Sequence, residues 1–210
     1  MSFRAIWVDE GNDADYAKLR ANGITAPYYS VRDPRVTKAY LEAVRAQGFT
    51  PGIYAAWNWP ETGIAPPYTG AAKGAAFATW VSRELQRIAP ATAADFPLVC
   101  LNAETHDAPY LAAMLRQWRK HRQDRVTDWT LEGFQGGWID ASPDLGAAVN
   151  ASGVGVVPQF YRGNMSPLFA GVILDLLTAG IPADRLMGFY DAADLPYRWH
   201  GYAFTQGRLP

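Results

Sequence analysis

Cysteine is almost missing from this sequence. Cys100 stands alone inside the apolar run FPLVC, so no disulfide forms within the chain, and it reads as a small core side chain rather than a nucleophile. Histidine is nearly as scarce: His106, His121 and His200 fall at no metal-ligand spacing, and no metal and no cofactor is expected. A basic excess is also lacking. With 19 Lys and Arg against 20 Asp and Glu, nothing is left over to neutralise phosphates, which argues against a nucleic-acid partner. No apolar run approaches the roughly 18 residues of a membrane span, so no membrane partner is expected. At the start of MSFRAIWVDEGND, the acids Asp9, Glu10 and Asp13 occupy the stretch where a signal peptide would be apolar. Synthesis in the cytoplasm without a signal peptide is the expectation. The glycine-rich phosphate turns GxGxxG and GxxxxGKS/T are absent, as is the GxSxG nucleophile elbow.

What is present is ordinary globular material with an unusual aromatic load. Hydrophobic residues make up 49% and charged residues 19%, which sets the chain apart from disordered sequences. Its 210 residues suit one domain, 1–210, better than two. Eight Trp and 11 Tyr are more than a core of this size needs, so part of them is expected to line a binding surface.

Apolar and β-branched runs alternate with helical patterns. Strands are expected at Phe3–Asp9, Gly23–Tyr29, Phe49–Trp57, Phe96–Glu104, Trp129–Gln135, Gly153–Tyr161, Arg185–Asp191 and His200–Gln206. Helices are expected at about 14–21, 34–47, 71–89, 109–121, 143–150 and 166–179. Asn58–Gly70, rich in Pro and Gly, is expected to be an irregular loop. Strands recurring about every 25 residues with helices between them are the pattern of parallel βαβ units. Eight such units predict an α/β fold, a compact single (β/α)8-type, TIM-like barrel. A doubly wound open sheet is the structural alternative, and the missing glycine-rich turn counts against it.

Strands buried on both faces leave polar residues to gather at strand ends. The ends supply Asp9, Glu10, Tyr28, Tyr29, Tyr54, Trp57, Asn102, Glu104, Glu132, Gln135, Gln159, Tyr161, Tyr190, Asp191 and Gln206. In a closed barrel these share one mouth. Carboxylates, amides and aromatics together suit a sugar, whose ring faces pack on Trp and Tyr while its hydroxyls pair with Asp, Glu, Asn and Gln. Glycoside cleavage needs two carboxyl groups across the scissile bond. Asp9 and Glu104 follow apolar runs, where partial desolvation raises a carboxyl toward the range of a general acid. They are the candidate catalytic pair. Each has a plainer reading: Asp9 or Asp13 could cap the first helix, Glu104 or any of Thr105, His106 and Asp107 could cap the fourth, Glu132 could face the strand–helix interface or solvent, and Asp191 could be a turn residue. Trp57 and Trp59 flank the long loop and are expected to face a ligand, whereas Trp7 and Trp80 are expected in the core.

These motifs resemble the Chalaropsis-type lysozymes, a muramidase family of phages and bacteria, and more loosely the related glycoside-hydrolase-like β/α barrels. The family carries an Asp at the end of strand one, matched by Asp9 in AIWVDEG, and Asp-x-Glu at the end of strand four, matched by Asn102-Ala103-Glu104 in VCLNAE. Tyr54 and Trp57 resemble its aromatics after strand three, and Gln206 its glutamine in the last strand. The resemblance implies a short barrel acting on cell-wall or surface polysaccharide, with Glu104 as acid and Asp9 as electrostatic or nucleophilic partner. Substrate contacts would come from Asn102, Glu10, Tyr28, Tyr54, Trp57, Gln135, Gln159, Tyr161, Asp191 and Gln206. Asn102 departs from the pattern: an amide hydrogen-bonds but carries no charge and takes no proton. Two readings follow, a glycoside hydrolase and an inactive glycan-binding or structural barrel of a phage virion with other virion proteins as partners. A third, an enzyme of phosphorylated substrates, would have to build its anion site from Arg185, Arg198 and Arg208.

Overall fold

The computed structural model describes residues 4–8, 14–88, 98–103, 105, 107–122, 128–133, 142–153, 155–158, 169–185, 188–191 and 202–205. Strands β1 (Arg4–Val8), β2 (Ala26–Ser30), β3 (Gly52–Ala56), β4 (Leu98–Asn102), β5 (Asp128–Gly133) and β6 (Gly155–Pro158) pair in sequence order, every pair parallel. Helices α1 (Tyr16–Ala21), α2 (Lys38–Ala46), α3 (Ala71–Ile88), α4 (Ala108–Arg122) and α5 (Pro143–Ser152) fall between them, and α6 (Phe169–Thr178) leads to β7 (Gly188–Asp191) and β8 (Tyr202–Thr205). The fold is therefore α/β, with one eight-stranded sheet in the order β6-β5-β4-β3-β2-β1-β8-β7. At its two ends, Cα atoms of β6 and β7 come within 8 Å of each other.

One strand departs from the expected all-parallel pattern. β8 inserts between β1 and β7 and runs antiparallel to both. The cause is chain length. Only residues 192–201 separate β7 from β8, fewer than the dozen or so needed for a parallel crossover, so the chain returns in the opposite direction. The reversal also changes where β8 ends. Thr205 pairs with Arg4 at the start of β1, so the chain leaves β8 at the opposite end of the sheet from the C-terminal ends of the parallel strands.

Helix starts follow side-chain chemistry. Asp15 caps α1, its Oδ1 accepting from the Lys18 amide at 3.0 Å. α2 begins later than the Asp33-Pro34 pair suggested, because Thr37 supplies the cap to the Tyr40 amide. Asp33 is engaged in a turn instead: buried, it takes Nε and Nη2 of Arg35 and the Arg35 amide. Ser142 caps α5 with Pro143 in its first turn.

Parallel pairing sorts the sheet into two faces, because alternate strand residues point opposite ways. Ile6, Val8, Tyr29, Ile53, Ala55, Val99, Leu101 and Val156 lie on one face and belong to the main apolar cluster, with Phe77, Val81 and Leu85 of α3 and Leu111, Met114, Leu115 and Trp118 of α4. α3 and α4 meet closely at Gly74, where an added Cβ would land on the Tyr110 carbonyl oxygen. We expect Gly74→Ala to cost about 1–3 kcal/mol by overpacking this seam, measured as a lower denaturant midpoint with an unchanged slope.

Two buried phenols add a pH dependence. Burial pushes the Tyr29 hydroxyl far above its ordinary value, with Tyr40 and Tyr16 adding to the shift. Burial, and then the nearby Tyr68, push Tyr110 the same way. The unfolded chain ionises tyrosine near pH 10, while the folded chain holds both neutral. Their contribution is complete below that pH and is lost as pH rises above it, at up to about 1.4 kcal/mol per unit for each phenol. The urea midpoint should fall between about pH 9 and pH 11, and Tyr29→Phe should shrink that fall.

Candidate functional site

The second face of the sheet is built differently. Trp7 pairs in register with Tyr28, Tyr28 with Gly52, and Gly52 with Leu98. The next layer runs Ser30, Tyr54, Cys100, Thr130, and the one after it Ala56, Asn102, Glu132. Of these, Trp7, Tyr28, Ser30, Tyr54, Cys100 and Asn102 are buried, yet none belongs to the main apolar cluster. Gly52 is required here. The Tyr28 ring lies across it, and an added Cβ would approach the ring carbons to 2.7 Å.

Aromatic contacts link this face to the loop that follows β3. Trp7 and Tyr54, on the strands either side of β2, stack at 4.8 Å between centroids with planes 12° apart. Tyr54 meets Trp59 edge-on at 5.8 Å, and Trp59 meets Trp80 of α3 at 6.2 Å. Trp7 was expected in the core with Trp80. It is buried, but on the face shared with Tyr54. Trp57 differs from the ligand-facing expectation. Strand alternation continues through it, placing it with Ile53 and Ala55 on the helix side, where it is buried in the apolar cluster against Tyr68 at 5.8 Å. Its indole N–H has no hydrogen-bond partner among the described residues. The loop residue Trp59, half-buried, takes the rim position instead.

The loop from Asn58 to Gly70 is irregular except for one 3-10 turn at Pro60–Thr62. It is nevertheless pinned along its length. Thr62 donates its hydroxyl to the Trp59 carbonyl at 2.8 Å, and Lys73 Nζ donates to the carbonyls of Ala65 and Pro67 at 2.7 and 2.6 Å. Thr105 Oγ1 donates to the Tyr68 carbonyl at 2.8 Å, and Asp107 Oδ2 accepts from the Gly70 amide at 2.7 Å. The segment after β4 therefore holds the segment after β3.

Of the candidate residues, the structure brings Tyr28, Tyr54 and Asn102 to one face. Asn102 ends β4, registered between Ala56 and Glu132, and its carbonyl accepts from the Trp57 amide at 3.0 Å. Asp191 ends β7, paired with Tyr202. Asp9, Glu10, Glu104, Gln135, Gln159, Tyr161 and Gln206 lie outside the described residues. Two plainer readings are nonetheless answered by neighbours. The cap of α1 is Asp15, not Asp9 or Asp13. The amide at the start of α4 is taken by Asp107, whose Oδ2 accepts from Tyr110 at 2.8 Å, so neither helix needs Asp9 or Glu104. Trp59 was expected to face a ligand; the residue that the sequence did not single out is Arg32, whose Cζ lies 4.1 Å from the Trp59 ring centroid. No sequence pattern marks that pairing, since 27 positions separate them. Among the described residues, no three His, Cys, Asp or Glu gather to hold a metal.

Asp107 serves two segments at once, which makes it a sensitive probe. Asp107→Ala removes the α4 cap and the Gly70 tie, and should cost about 1–2 kcal/mol. Limited proteolysis should then cut first within 58–70.

No family model matches the chain, and no curated protein matches it. Solved structures do. The modular autolysin LytC from Streptococcus pneumoniae, determined alone and with a synthetic peptidoglycan ligand, is similar over 97% of this chain at a TM-score of 0.55 and 8% identity. The chain spans about half of that protein, 46% of its length. A class V chitinase from Pseudomonas fluorescens Pf-5 is similar over 91% of this chain and 70% of its own, at a TM-score of 0.55 and 12% identity. At such identities the likeness is one of fold: this chain has an α/β architecture shared with an autolysin and a chitinase.

Proposed function

We propose that this chain is a glycoside-hydrolase-like barrel acting on cell-wall polysaccharide, with closure between β6 and β7, Glu104 as general acid and Asp9 as its electrostatic or nucleophilic partner. The observation that carries the reading is the second face of the sheet. A parallel sheet covered on both sides would fill that face with Val, Ile and Leu. Here Trp7, Tyr28, Ser30, Tyr54 and Asn102 occupy it in register. Tyr28 and Ser30 are fully buried and support this face from beneath, while Trp7, Tyr54 and Asn102 keep slight exposure; aromatic rings beside an amide match the two surfaces of a sugar. Asp9 directly follows Val8 of this sheet, and Glu104 stands two residues after Asn102. The sequence neighbours Val8, Ala103 and Thr105 are all buried, and a carboxyl placed among buried groups would be desolvated toward acid duty.

In this mechanism Glu104 protonates the leaving glycosidic oxygen while Asp9 stabilises or attacks the positive anomeric carbon, and water completes the cleavage. Asn102 contributes hydrogen bonds to a substrate amide. Its neutral side chain is also the observation that favours a second reading, a barrel that grips glycan without cleaving it, as a virion surface module would.

Reducing-sugar release from purified bacterial cell wall separates the two. We expect release by the wild type and at least a roughly hundredfold loss in Glu104→Gln with folding intact. Unchanged release in that variant would remove Glu104 from the mechanism. A silent wild type that gains activity in Asn102→Asp would identify a lapsed hydrolase; silence in both would favour the gripping module.

A further inference from the structure

The rim carries a guanidinium held in a fixed place, and we infer that Arg32 is a specificity-determining residue that reads a carboxylate on the bound glycan. This rests on the glycan reading above and names the class of glycan, an anionic one.

Arg32 follows β2 and Trp59 follows β3, both at the C-terminal ends of parallel strands. They lie at the same end of the sheet as Asn102. Several contacts hold Arg32, three of them to described residues. Its backbone amide donates to Ser30 Oγ at 3.2 Å, tying it to the last residue of β2. Its guanidinium lies over the Trp59 ring at 4.1 Å. Its Nη1 reaches Glu61 Oε2 at 3.4 Å, with Glu61 more than half exposed. Trp59 is in turn wedged between Tyr54 and Trp80, and its carbonyl accepts from Thr62. The ring face that would otherwise take a sugar is thus covered by a cation.

A guanidinium seated over an aromatic ring still has edge N–H groups with which to take a carboxylate. The side chain has already lost its rotamer freedom, which lowers the cost of engaging a ligand. The long, solvent-exposed contact to Glu61 marks the direction from which a carboxylate approaches, and a ligand carboxylate would exchange with Glu61 there. Tyr54 links this position to the stacked Trp7, so the anionic group would sit at the rim end of the aromatic path. A neutral glycan would meet the same aromatics and gain nothing from Arg32.

The test uses one glycan in two charge states: amidase-stripped cell-wall glycan with free carboxylates, and the same preparation with its carboxylates converted to methylamides. Binding is measured by calorimetry with the full chain. The wild type should bind the acid form about tenfold tighter, with the preference shrinking as salt rises. Arg32→Gln should bind both forms as the wild type binds the methylamide, with an unchanged melting temperature. Equal binding of both forms by the wild type would overturn this inference and leave the glycan reading standing, as would an undiminished preference in Arg32→Gln. Binding of neither form would overturn both.

Discussion

Parallel register from β1 to β6 governs everything that can meet in this molecule. Adjacent strands in step bring Trp7 beside Tyr28, Ser30 beside Tyr54 and Ala56 beside Asn102, although these residues come from distant parts of the chain. A shift of one residue in any pair would exchange the faces, turning Ile53 and Val99 toward the aromatics and Tyr54 toward the helices. What prevents the shift is burial. The helix-facing residues pack with α3 and α4, and Gly52 leaves room only for the Tyr28 ring. The functional face is the complement of a well-packed one.

The second organising contact is the mutual support of two loops. Thr105 and Asp107, just past β4, hold Tyr68 and Gly70 at the far end of the segment that follows β3. An irregular segment with Pro60, Pro66 and Pro67 has few backbone bonds of its own. Its order comes from side chains: its own Thr62, and Lys73, Thr105 and Asp107 reaching in. Trp59 inherits a fixed position from that scaffold, and Arg32 inherits one from Trp59.

Much of the architecture was legible because its signals are local. Gly23 and Gly48, at positive φ, stand just past the helix ends expected at about 21 and 47, and the apolar runs form strands at most expected places. The direction of β8 was not legible from its own residues, because HGYAFTQ reads the same either way. Its direction is set by the ten residues before it. Trp57 and Trp59 look equivalent in the sequence, but strand alternation carried on through the first buries it, and the turn leaves the second half-buried at the rim. Asp15 and Asp107 each stand among several polar residues near a helix start, which look alike until one of them meets the amide. Arg32 on Trp59 lay beyond sequence reasoning altogether, being a tertiary contact between two loops.

β8 lies between the first strand and the seventh, so the outer edge of β1 is paired by a strand made after the other seven. During synthesis β1 to β6 can form their ladders in the order they emerge, each strand docking on the one before. The backbone N–H and C=O groups on the far side of β1 wait longest for partners. Until β8 arrives, that edge is an open template for another chain. A shortened product that stops before β8 would therefore carry most of the sheet and still be prone to join edge to edge with its copies.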